Sequence, residues 1–101
     1  MLIIEWKRNA VLDFIEILDY ISQRNPNAAE KIENIINEAV EKIADSPYSA
    51  RTGRVIGTRK KIAHPNYIIV YRVLTDKIEI VNIIHARRNY PDTYLYPLDI
   101  A

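Results

Sequence analysis

The side chains that could do chemistry in this chain are arginines, lysines and tyrosines. The segment Arg51-Thr-Gly-Arg54-Val-Ile-Gly-Thr-Arg59-Lys60-Lys61 holds five cations and no acid. A second group, His85-Ala86-Arg87-Arg88, follows a run of aliphatic residues, with Tyr90, Tyr94 and Tyr96 after it. Guanidinium and ammonium groups hold phosphates and can stabilise a pentavalent phosphorane, while tyrosines stack on bases. Metal-free RNA chemistry is therefore open to such a set. The same residues also fit a plainer description, as solvated charges at strand ends and tyrosines in a core. His85 has the intrinsic pKa for acid–base work, yet a histidine closing an apolar strand is as readily a structural residue.

Other catalytic kits are missing. Gly53 and Gly57 are the only glycines and belong to no phosphate-cradling loop. His64 and His85 stand apart and cysteine is absent, so no metal ligands, thiolate nucleophile or disulfide framework are expected. Ser22, Ser46 and Ser49 lie on a helix or beside Pro47, away from any nucleophile elbow. No cofactor is implied.

The elements that must carry these residues follow from periodicity. Leu2–Trp6 reads as a short strand. Val11, Phe14, Ile15, Leu18 and Ile21 recur at helical steps from about Asn9 to Arg24, with Asp13, Glu16 and Asp19 set off the stripe. Pro26 ends that helix and suits the first turn of another, with Asn25 as its N-cap. Ala28, Ala29, Ile32, Ile35, Ile36, Ala39, Val40 and Ile43 carry the second helix to about Asp45, before Pro47. So short a link predicts an antiparallel hairpin. Beyond it Arg54–Ile56, Arg59–His64, Tyr67–Leu74 and Lys77–Ile84 read as strands. Pro65-Asn66 and Thr75-Asp76 turn between them, and the last two are apolar enough to be central. The order β-α-α-β-β-β is an α+β fold, a helical hairpin packed on a small antiparallel sheet. Strand parity places Arg59 and Lys61 on one face and Ile62 on the other, helix-covered one. It sets Val81, Ile83, His85 and Arg87 against Ile84, Ala86 and Arg88.

Length and charge bound the rest. The 101 residues suit a single domain spanning 1–101. The first half carries 5 Lys/Arg against 9 Asp/Glu and the second 9 against 4, so an overall charge of +1 conceals balances of −4 and +5. Such asymmetry points weakly to an anionic partner. No apolar run approaches the roughly 20 residues that span a bilayer, and the start lacks signal-peptide features. A cytoplasmic location without membrane attachment is expected.

Taken in order, Trp6…Ala10…Asp13-Phe14…Tyr20-Ile21, Asn25-Pro26-x-Ala28-Ala29, Gly53-Arg54…Gly57-Thr58-Arg59, Tyr67-Ile-Ile-Val70-Tyr71-Arg72-Val73 and Ile84-His85-Ala86-Arg87-Arg88-x-Tyr90-Pro91 resemble the RelE/ParE superfamily of type II toxins. The resemblance runs from Trp6 to about Pro91 and implies a helical hairpin on a small antiparallel sheet, the order read above. It also implies a cognate antitoxin as partner.

The superfamily's two branches imply different targets. RelE-like toxins cleave mRNA on the ribosome without metal. Carried onto this sequence, their catalytic set is Arg59, Lys61, Arg88 and Tyr94, but Ile68 stands where they have an arginine after the strand tyrosine. ParE-like toxins poison DNA gyrase and cut nothing themselves. Their His-x-Arg-x-Asp ending resembles His85-Ala86-Arg87-Arg88-Asn89, and the aliphatic Ile68-Ile69-Val70 strand also suits them. The reading favoured by the sequence is a ParE-like toxin whose target-binding residues are Arg54, Arg59, Lys61, His85, Arg87 and Arg88. The alternatives are a RelE-like endoribonuclease and an antitoxin-binding module without toxicity. Alanine at Arg59, Lys61, Arg87 or Arg88 is expected to affect toxicity and to leave folding alone.

Overall fold

A computed structural model gives the arrangement of residues 2–53 and 55–86. Of the residues singled out above, Arg54, Arg87, Arg88, Tyr90, Tyr94 and Tyr96 lie outside this described part. The element order is β1 (Ile3–Trp6), α1 (Arg8–Ser22), α2 (Pro26–Asp45), β2 (Arg51–Thr52), β3 (Thr58–His64), β4 (Tyr67–Val73) and β5 (Lys77–His85). The helices form the expected hairpin. Asn25 caps α2, its side chain accepting a hydrogen bond from the Ala28 N–H at 3.1 Å, and Pro26 takes the first helical position, where no N–H is needed.

The sheet order is β1-β5-β4-β3-β2. Strands β2 to β5 form the antiparallel meander anticipated from the turn signals, with β4 and β5 inside it. Strand β1 joins on the far side, parallel to β5, with Trp6 opposite Ile80, so the complete sheet is mixed.

The helices cover one face. Ala10, Ile36, Ala39, Val40 and Ile43 pack on Tyr67, Ile69, Tyr71, Ile78, Ile80 and Ile83. Residues 80 and 83 would fall on opposite faces of a regular strand, yet both are buried here. A bulge reconciles them. Tyr71 pairs with Ile80 and Val70 with Asn82, leaving Val81 as the extra residue. Simple alternation along β5 therefore fails at Val81, and Ile78 and Ile80 share the helix side with Ile83.

Two local expectations are corrected. The short strand is Arg51–Thr52 rather than Arg54–Ile56. Residues 55–57 turn instead, because Gly57 takes φ +89°. The Thr58 hydroxyl closes that turn by donating to the Val55 carbonyl at 2.6 Å. In α1 the inward stripe is Ala10, Phe14, Ile17 and Ile21, whereas Val11, Leu12 and Ile15 are exposed. The helix is rotated so that Asp13 turns inward with the stripe.

Candidate functional site

Pairing across the strands fixes which residues share the uncovered face. Ile62, Ile68 and Ile84 lie opposite one another and form an aliphatic row. Lys60 pairs with Val70 in the next row. At the other end Arg72, Glu79 and Glu5 are in register. The face thus grades from aliphatic to ionic.

The ionic end centres on Glu79, whose side chain is only 10% exposed. Its carboxylate lies 3.3 Å from Arg72, 3.6 Å from Lys7 and 3.9 Å from Lys77. Lys77 also reaches Glu5 at 2.6 Å. Its hydrogen bond holds the Glu5 carboxyl below the usual carboxylate range, and Glu5 in turn raises the Lys77 ammonium. This end is electrostatically satisfied.

Strand β3 supplies the cations, and their placement reverses the expectation. Arg59 pairs with Tyr71 and Lys61 with Ile69, both core residues, so these two cations stand on the helix side. Ile62 faces outward and is 62% exposed. The loop that follows α2 comes back over this part of the face, where its carbonyls at 47, 48 and 50 meet Tyr71 and Arg59. There the long stems of Arg59 and Lys61 can lie along the structure. The Arg59 guanidinium donates to the carbonyls of Ala50 at 2.8 Å and Tyr48 at 3.3 Å. It also sits 5.0 Å from the centroid of the Tyr48 ring. Nearby, the buried Tyr71 hydroxyl donates to the Pro47 carbonyl at 2.6 Å, and burial raises its pKa.

Arg59 and Tyr71 therefore tie the post-α2 loop to the sheet, a role that sequence reasoning did not assign. Arg59→Ala should lower stability by about 1–2 kcal/mol, because it frees two carbonyls from a charged donor. Lys60→Ala and Lys61→Ala should stay within about 0.5 kcal/mol of wild type. Urea denaturation of the three variants checks this. The earlier expectation that Arg59 is dispensable for folding is withdrawn on the same ground.

Lys60, Lys61 and Arg51 do come together. With Ala50, Ile62 and Ile68 they line a depression of about 380 Å³ at the β2–β3 edge. His85 is brought to neither this depression nor Arg59. It pairs with Tyr67 at the far end of β4, their rings edge-to-face with centroids 5.1 Å apart. His64 flanks the same tyrosine at 5.7 Å, and its Nδ1 accepts the Asn66 N–H. Among the described residues no group of three His, Cys, Asp or Glu side chains could hold a metal ion.

Asp13 is the other residue the sequence reading misplaced. Its Oδ2 accepts the Ile83 N–H at 2.9 Å and the Asn82 Nδ2 at 3.0 Å. Strand β1 ends opposite Ile80, and Lys7 N–H to Ile80 carbonyl is the last backbone bond on that edge. The carboxylate takes over where the strand stops. Burial is the main cause that raises its pKa, partly offset by the two hydrogen bonds. The available signal was spacing, since Asp13 is three residues from Ala10 and four from Ile17.

A helical hairpin on one face of a five-stranded sheet is the arrangement expected for the RelE/ParE superfamily, and comparison with known proteins establishes that membership. The family model described as ParE toxin of type II toxin-antitoxin system, parDE, matches residues 4–90, and the chain belongs to that family. It is 37% identical over 89 residues to Y4kP of Sinorhizobium fredii, covering 87% of this chain and 92% of the relative. It is 32% identical over 83 residues to toxin RelE2 of Caulobacter vibrioides, covering 82% and 93%. In structure it is similar to a chain of the chromosomal ParDE toxin–antitoxin system from P. aeruginosa. The TM-score is 0.74 at 24% identity, with 84% of this chain and 96% of that one covered.

Proposed function

We propose that this toxin poisons DNA gyrase in the cytoplasm and is neutralised by a cognate antitoxin. The observation that carries the choice of mechanism is the aliphatic row on the uncovered face. Phosphodiester cleavage without metal and without an acid–base pair at hand relies on cations gathered at the phosphate. Among the described residues, Ile68 lies between Ile62 and Ile84 and Arg59 is committed to two backbone carbonyls. The cations that do gather, Arg51, Lys60 and Lys61, stand at the β2–β3 edge of that row, with Ile62 and Ile68 between them and the centre of the face. Such a face suits binding to a target better than cleavage.

The antitoxin reading rests on family membership and on α1. Val11, Leu12 and Ile15 form an exposed apolar stripe, Ile15 being 58% exposed. Such a stripe accepts the apolar side of an amphipathic helix. The similar P. aeruginosa structure is of a ParDE toxin–antitoxin system, in keeping with this assignment.

The deciding experiment measures both activities of purified wild-type protein. Gyrase supercoiling should be inhibited, and mRNA on programmed ribosomes should remain intact. Ile68→Arg should not create cleavage. Cut mRNA with gyrase unaffected would instead establish the RelE-like reading, in which Lys60, Lys61 and Arg51 around the depression would meet the phosphates together with Arg88 and Tyr94. Neither effect, with antitoxin binding retained, would leave a non-toxic binding module. Ile15→Asp should weaken antitoxin binding and preserve gyrase inhibition.

A further inference from the structure

We infer that the outer edge of β1 is a self-association site, pairing antiparallel with β1 of a second copy about a two-fold axis at Ile4. The inference starts from backbone parity. Lys7 N–H donates to the Ile80 carbonyl, and β1 runs parallel to β5 in register Ile3 with Lys77 through Trp6 with Ile80. The N–H and C=O groups of Ile3 and Glu5 are therefore directed at β5. Those of Leu2, Ile4 and Trp6 are directed away from it. No described strand lies on that side, since β1 ends the sheet order. Unpaired edge groups are a template for another strand.

Side chains and charge select the occupant and its register. Leu2, Ile4 and Trp6 pack against the core yet remain only partly buried. A second β1 would bring a matching aliphatic and aromatic row against them. Three registers bring two or more outward-directed residues of each strand into pairs. Centring on Glu5 sets two carboxylates directly opposite, which is destabilising. Centring on Ile3 brings fewer outward residues into pairs. Centring on Ile4 pairs Ile4 with Ile4 and Leu2 with Trp6 in both directions, and sets Ile3 opposite Glu5 on the uncovered face. An isologous contact of this kind closes at two copies. Its small area marks it as a weak, concentration-dependent dimer. The two sheets would join into one continuous surface.

Sedimentation velocity of the full chain from about 1 µM to about 1 mM should show a monomer–dimer equilibrium. Ile3 is 71% exposed, so changes there leave the fold intact, which an unchanged thermal midpoint confirms. Ile3→Glu opposes Glu5 twice and should raise the dimer dissociation constant about tenfold or more. Ile3→Lys should lower it. Because the chain has no cysteine, Ile3→Cys and Glu5→Cys can be oxidised separately and mixed. Only the mixture should crosslink. A monomer at every concentration, crosslinking by Glu5→Cys alone, or an Ile3→Glu variant that dimerises like wild type would each overturn the inference. So would a wild type that stays monomeric while Ile3→Glu weakens antitoxin binding, since the edge would then belong to the antitoxin.

Discussion

Asp13→Ala should destabilise the protein by about 1–3 kcal/mol, the cost of leaving a part-buried N–H and amide without an acceptor. For a domain of this size that corresponds to a fall in thermal midpoint of about 5–20 °C. Asp13→Asn should behave differently. Both donors converge on the same carboxylate oxygen, Oδ2, so one amide oxygen can receive them without burying a charge. Asparagine is therefore expected to match or exceed wild-type stability at neutral pH. The direction of the pH dependence follows from the raised pKa of Asp13. The folded state binds its proton more readily than the unfolded chain, so ionisation penalises folding above the folded-state pKa. That penalty disappears as pH falls to the ordinary carboxylate range. The advantage of Asp13→Asn over wild type should shrink across that window, as read by urea midpoints in a pH series. An advantage that grows on acidification would refute the assignment.

The second large effect separates two isoleucines on neighbouring strands. Ile69 is fully buried and Ile62 is 62% exposed. Ile69→Ala should cost about 2–5 kcal/mol, combining lost burial with the cavity left behind. Ile62→Ala should stay within about 0.5 kcal/mol. Calorimetry of the two variants suffices. Comparable losses would place the helices on the wrong face of the sheet.

Features set by neighbouring residues were legible in the sequence. The Asn25-Pro26 boundary is a matter of local capping, and the regular stripe of α2 needs no tertiary information to be read. The meander was legible too, since Pro65-Asn66 and Thr75-Asp76 interrupt β-rich segments. What escaped depends on partners distant along the chain. Alternation in Arg59-Lys60-Lys61-Ile62 shows that two sets of residues oppose one another, but not which set the helices cover. Both sets include a lysine, and an arginine stem packs almost as well as an isoleucine. The bulge at Val81 leaves no mark in composition, yet it keeps Ile80 and Ile83 on the same side. The rotation of α1 was hidden because that helix is apolar on both flanks. One apolar flank meets the sheet and the other is exposed. As for the candidate site, the β3 cations were recognised by type, while the loop carbonyls that hold Arg59 come from residues 48 and 50, outside any motif.

The parallel pairing of β1 with β5 has a consequence in time. The first strand to leave the ribosome must wait for Lys77–Ile80, which the ribosome adds some seventy residues later, before it has a neighbour. At about 5–20 residues per second that interval is roughly 4–15 s. Through it the amphipathic helices already exist as chain, while the surface they are to cover is still being made. The sheet therefore cannot close on its β1 side until Lys77–Ile80 has been made. On the docking mode proposed for α1, an antitoxin would find its helix already made while the sheet is still incomplete.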